Sequence, residues 1–119
     1  MNRKILFLSL FYVYTFADEP WVGKPLDGDR KTWWQDFHKR LLNQTAEHKS
    51  DLKVIFFGDS ITEFWNEEGR DVWDKHYAPR HAYNYGINGD KVEQLIWRIE
   101  HGEFDGLKAK VVVLKIGNY

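Results

Sequence analysis

The stretch K-V-I-F-F-G-D-S-I-T-E-F, residues 53–64, decides the fold. Val54, Ile55, Phe56 and Phe57 form a short continuous run of β-branched and aromatic residues. A run of that length and make-up predicts a strand buried on both faces. It breaks at Gly58-Asp59-Ser60, and Ile61 to Trp65 then reads as the first turn of a helix. Glycine permits the sharp turn. The serine falls at the carboxyl end of a strand, where open α/β sheets place their sites. Its N–H faces outward at a helix start, a position suited to stabilising an anion. The competing reading is structural: Asp and Ser lead the N-cap preferences, so Asp59 or Ser60 would simply cap the helix.

Working outward, residues 32–48 carry apolar side chains at helical spacing, with Trp33, Phe37 and Leu41 four apart and Trp34 and Leu42 beside them. Upstream, residues 18–30 form a polar, extended lead-in, with Trp21 and Leu26 as its expected anchors to the core. Downstream, a short helix is expected near 69–76, ended by Pro79. A second strand follows at Ala82 to Tyr85, then a helix at 91–101 with Val92, Leu95, Ile96 and Ile99 on one face. Residues 110–116 form a third strand. Helices alternating with strands predict a parallel, doubly wound sheet. Each strand ends in a glycine turn: Gly58-Asp59-Ser60, Gly86-Ile87-Asn88-Gly89 and Gly117-Asn118. In a parallel sheet those turns share one edge. A serine, exposed glycine backbone and an asparagine would meet there, the layout needed to stabilise a tetrahedral oxyanion. Gly86 to Gly89 lacks both the dinucleotide fingerprint and a P-loop lysine.

The 119 residues make one domain or a piece of one, with 43% hydrophobic content and six tryptophans. The formal net charge of −1 gives no nucleic-acid or polybasic membrane signal. With no cysteine, disulfides, thiolate catalysis and Cys-zinc sites are excluded. The first residues read separately: Asn2-Arg3-Lys4 is a basic start, 5–16 is apolar, and Thr15-Phe16-Ala17 resembles a cleavage site. That order predicts a secretory signal peptide over 1–17 and a secreted mature domain over 18–119. The apolar run is short for a membrane span. Asn43-Gln44-Thr45 is a glycosylation acceptor in a eukaryotic host.

Four pieces together, V-I-F-F-G-D-S-I-T (54–62), H-A-Y-N-Y-G-I-N-G-D (81–90), L-I-W-R-I-E-H-G-E-F (95–104) and K-V-V-V-L-K-I-G (110–117), resemble the SGNH (GDSL-type) hydrolases. They are similar in particular to the platelet-activating factor acetylhydrolase Ib branch of that family. The resemblance covers roughly 27–117. It implies a flavodoxin-like, three-layer α/β/α fold whose parallel sheet has five strands in the order 2-1-3-4-5. The chain supplies the first three, so the domain reads as an N-terminal portion, apparently truncated after the third strand. The resemblance makes Ser60 the nucleophile and an oxyanion N–H, and Gly89 a second N–H donor. Gly58, Asp59, Gly86 and Gly117 support the turns. Trp97 and Arg98 are expected to be packing and surface residues.

Two departures stand out. The family's third block is Gly, any residue, Asn, whereas here Asn118 follows Gly117 directly and Tyr119 takes the usual place of the Asn. Asn118 is thus a doubtful third donor. The family's Asp-x-x-His block occurs nowhere in the sequence, and His38, His48, His76, His81 and His101 all read as surface or packing residues.

The resulting expectation is a secreted serine esterase acting on a small acyl ester, of a lipid or a carbohydrate, acetyl among the candidates, through an acyl-serine intermediate. No metal or organic cofactor, no nucleic acid and no membrane span are expected; homodimerisation is open. One alternative is a non-catalytic secreted binding protein on a partial hydrolase scaffold. Another is a small enzyme that recruits one of its own histidines, such as His81.

Overall fold

A computed structural model describes residues 19–117; the expected signal peptide, Asn118 and Tyr119 lie outside the described residues. A 3-10 turn at Gly28–Arg30 leads into α1 (Lys31–His48). The strands are β1 (Val54–Gly58), β2 (Ala82–Gly86) and β3 (Val111–Lys115). Between β1 and β2 lie α2 (Ser60–Glu63) and α3 (Arg70–His76), and between β2 and β3 lies α4 (Val92–Glu100).

The sheet is parallel throughout, in the order β2-β1-β3. Val54 stands between Ala82 and Val111, and Gly58 between Gly86 and Lys115. Successive side chains of a strand point to opposite faces, and two apolar clusters follow from that alternation. Ile55 and Phe57 join Tyr85, Trp34, Leu41, Leu52, Ile87 and Leu95, under α1 and α4. Phe56 joins Trp73 and Ala82 on the other face, with Val54, Trp65 and Tyr77 packed alongside. Helices thus cover both faces, as expected of a three-layer α/β/α arrangement. The chain leaves β1 toward β2 on one side and reaches β3 on the other, so β1 is the point where strand order reverses. Ligands in open α/β sheets bind outside the carboxyl end of that point.

Three packing expectations need correction. In α1 the buried side chains are Trp34, His38, Leu41 and Thr45, with Phe37 packed at the edge of the core; Trp33, expected inward, is 39% exposed, and His38 and Thr45 are buried in addition. In α4 the buried set is Gln94, Leu95 and Arg98, while Val92 and Ile99 face outward. Trp21 does not anchor the lead-in and is 70% exposed. Leu26 does pack on the core. The lead-in is held by backbone and amide bonds instead: Lys24 N–H donates to Glu93 O at 3.0 Å, and Gln94 Nε2 donates to Lys24 O at 3.2 Å. β3 is exposed along its length, Val111 through Leu114 each by 40% or more.

Candidate functional site

The carboxyl edge of the sheet is built around the turn after β1. Asp59, wholly buried, is the N-cap of α2, and its Oδ1 accepts from Ile61 N–H at 3.0 Å. Its carbonyl also accepts from Thr62 N–H at 3.1 Å and Glu63 N–H at 3.0 Å. The helix start is thereby satisfied by Asp59, and Ser60 is left as its first residue, half-buried. No described residue makes a hydrogen bond to the Ser60 hydroxyl or to its N–H.

Glycine is required at both flanking strand ends by space, not by conformation. A Cβ on Gly58 would collide with the Lys115 carbonyl and the Thr62 hydroxyl, and one on Gly86 with the Glu63 amide. α2 thus crosses directly over the ends of β1 and β2. Asn84, a residue the sequence did not single out, fastens it there. Its Nδ2 donates to Thr62 O at 2.7 Å and its Oδ1 accepts from Gly86 N–H at 2.8 Å. Asparagine is disfavoured in strands, and this one inside A-Y-N-Y-G was the available signal.

The loop after β2 is pinned at nearly every peptide. Ile87 N–H donates to Gly58 O at 3.1 Å. Asn88 N–H donates to the Glu63 carboxylate, and Asn88 O accepts from the Arg30 guanidinium at 2.9 Å. Burial pushes the Glu63 carboxyl above its usual range, against the opposing pull of the Asn88 N–H. Gly89 has φ of +86°, the left-handed region that favours glycine. A Cβ there would lie 2.5 Å from an Arg30 guanidinium nitrogen. Among the described residues nothing accepts from the Gly89 N–H.

Behind this loop is a buried ionic cluster. Asp90, Arg98 and Glu103 are all fully buried. Arg98 Nη1 donates to Asp90 Oδ2 at 2.8 Å, and its Nε and Nη2 reach the Glu103 carboxylate at 2.7–3.0 Å. Nη2 also donates to Tyr85 O at 2.6 Å, and the guanidinium lies 4.8 Å from the Phe57 ring centre. Arg98 is therefore not a surface residue. Trp34 Nε1 donates to Asp90 Oδ1 at 2.6 Å, and His38 Nδ1 sits 2.7 Å from Glu103 Oε1. Burial pushes the Asp90 carboxyl up to about 6, and Arg98 only partly offsets this.

The histidines stand elsewhere. His38 belongs to the cluster just described. His48 and His81 border Asp51, which precedes β1, and Tyr83, whose hydroxyl donates to Asp51 Oδ2 at 2.8 Å and is pushed up to about 12, mainly by burial. His101 stacks on Trp97, ring centres 3.7 Å apart. No described histidine bonds to Ser60. A cleft of about 610 Å³ lies near the opposite edge of the sheet, lined by residues including Lys53 and Gly106. A smaller one, about 150 Å³, lies between the Asp90–Glu93 segment and Ile116–Gly117. Gly117, with φ of +103°, ends the described chain. Asn43 is exposed in α1, while Thr45 of the same tripeptide is buried and bonded to the Tyr85 hydroxyl and Glu103 carbonyl. Among the described residues no group of three or more His, Cys, Asp or Glu could hold a metal ion, and no helix is long and apolar enough to cross a membrane.

No family model matches the chain. Individual relatives do. A fruit-fly (Drosophila melanogaster) protein named platelet-activating factor acetylhydrolase IB subunit beta homolog is 39% identical over 92 residues, 77% of this chain and 38% of its own length. The rat (Rattus norvegicus) subunit alpha1 of the same name is 30% identical over 101 residues, 85% of this chain and 41% of its own. Rat subunit alpha2 is 31% identical over 98 residues, 82% of this chain and 40% of its own. The chain spans about two fifths of the length of these curated relatives.

Proposed function

We propose, from the premise that this chain is a relative of the platelet-activating factor acetylhydrolase IB subunits over part of their length, that it carries the nucleophile and oxyanion rim of a secreted SGNH-type serine esterase. The observation that supports this most directly is the division of labour at the first turn: Asp59 caps α2, and Ser60 keeps both its hydroxyl and its N–H. In the proposed reaction Ser60 Oγ attacks the acyl carbonyl, and its proton passes to a general base. The Ser60 and Gly89 N–H groups stabilise the oxyanion, the alcohol departs, and water releases the acyl group. Gly58 and Gly86 support the turns by letting α2 pack directly on the strand ends. The substrate is a small acyl ester of a lipid or carbohydrate. Secretion rests on the order of basic, apolar and small residues over 1–17.

The test is hydrolysis of p-nitrophenyl acetate by the longest product of the gene and by its Ser60→Ala variant. Turnover should fall by about 10³-fold or more. Unchanged turnover in a folded variant refutes Ser60 as nucleophile. A second reading, a non-catalytic binding protein on this scaffold, is favoured by the engagement of His38 with Glu103 and of His48 with Tyr83, away from Ser60. Hydrolysis that disappears with Ser60→Ala rejects it.

A further inference from the structure

We propose that Arg98 is a positioning residue: acting through Asp90, it anchors the turn that carries the Gly89 N–H on the rim beside Ser60. This deepens the esterase reading and rests on it. Asp90 follows Gly89 directly, and its two carboxylate oxygens are held by two different elements, Oδ1 by Trp34 of α1 and Oδ2 by Arg98 of α4. The Asp90 N–H donates to Ile87 O at 3.2 Å, closing the turn in which Gly89 sits. The Gly89 N–H belongs to the Asn88–Gly89 peptide, whose carbonyl accepts from Arg30 at 2.9 Å; with Asp90 clamped at the end of the turn and that carbonyl held in its middle, the N–H is placed from both sides. Arg98 is in turn oriented by Glu103, which takes its Nε and Nη2, and by the Tyr85 carbonyl at the end of β2. His38 and Thr45 face Glu103 from α1. The chain of contacts from Glu103 through Arg98 and Asp90 to Gly89 is buried at every side chain and touches no reacting atom.

Burying a charged trio with one cation and two carboxylates is a costly way to make a core. Apolar residues of equal volume are often as stable. Its geometry does what an apolar core cannot: it holds Asp90, the last residue of the turn, from two directions. A displacement of about 1 Å at a catalytic donor costs on the order of a hundredfold in rate.

The test uses Arg98→Lys, which keeps the charge and loses the guanidinium fork, and Asp90→Asn, which keeps the shape, with two readouts. In the ¹⁵N–¹H spectrum the Gly89 amide should shift in both variants, while the Ser60 amide and those of residues 70–76, packed on the other face of the sheet, stay in place. In ester hydrolysis kcat should fall by about tenfold to a hundredfold with KM unchanged. A proportional loss through a smaller folded fraction, with a native Gly89 amide, would assign the ions to holding the core and overturn the proposal. So would loss of folding in both variants, or a Gly89 amide unmoved in both. If the unaltered protein hydrolyses nothing, the esterase reading fails and the Gly89 amide alone decides the role of Arg98 in the turn.

Discussion

Asp90 should make the protein more stable as the solution is acidified through the weakly acid range. The carboxyl is fully buried, and burial raises it to about 6 from 3.8. A group raised on folding binds more protons folded than unfolded, so its contribution is fully present below the unfolded value and is lost as pH rises through the folded one. The full difference corresponds to roughly 3 kcal/mol. Between about pH 7.5 and about pH 5 roughly half of that appears, on the order of 1 kcal/mol of added stability on acidification. Other carboxylates titrate too, and Asp51 is shifted the opposite way by its Tyr83 partner, so the quantity to measure is a difference. Urea unfolding followed by tryptophan fluorescence, repeated across that range for the wild type and Asp90→Asn, gives it. The wild type should gain on the order of 1 kcal/mol more than the variant on acidification. Equal slopes, or a wild type that loses more than the variant, would refute the claim that burial outweighs Arg98 at this carboxyl.

Trp34→Phe removes the indole N–H from Asp90 Oδ1 and should cost about 1.5–3 kcal/mol in urea unfolding, as loss of a bond to a buried charge. Gly86→Ala places a Cβ against the Glu63 amide and should cost more than about 2 kcal/mol. Gly28→Ala, at φ +79° with open space around it, should cost about 1 kcal/mol; thermal melts of the two test the ranking. Val112→Lys on the exposed third strand should change stability by less than about 0.5 kcal/mol and reduce self-association in sedimentation runs, because charge blunts an open edge.

What the sequence could reveal here depended on how far apart the deciding residues lie. The strands and glycine turns are local patterns, and β1, β2, β3 and the edge they share fall where periodicity places them. Which of two adjacent tryptophans turns inward is not local. Trp33 and Trp34 are both apolar at helical spacing, and the choice is made by the Asp90 carboxylate, 56 residues on, which needs an N–H that Trp34 supplies. Likewise an arginine on an amphipathic helix reads as a surface group. Arg98 is buried because Asp90 and Glu103, eight and five residues away, both turn toward it. His38 follows the same rule, meeting Glu103 across 65 residues. Hydrophobic periodicity assigns faces to apolar side chains and has no term for polar pairs that bury one another.

The two readings of Ser60, helix cap and nucleophile, compete only if one residue must do both jobs. A cap consumes a side-chain oxygen by giving it to an N–H of the first turn. Here that oxygen belongs to Asp59, which bonds Ile61 N–H from a fully buried position. The capping demand of α2 is therefore met one residue before the serine. What remains at Ser60 is a hydroxyl that no described residue bonds, on the first residue of a helix, at the carboxyl end of the strand where the sheet order reverses. A turn that needed only a cap would be complete without it, since alanine is well suited to a helix interior. Ser60→Ala should accordingly leave stability within about 0.5 kcal/mol of the wild type while removing hydrolysis. A stability loss above about 1.5 kcal/mol would mean that the hydroxyl holds the turn after all, and would return the serine to a structural role.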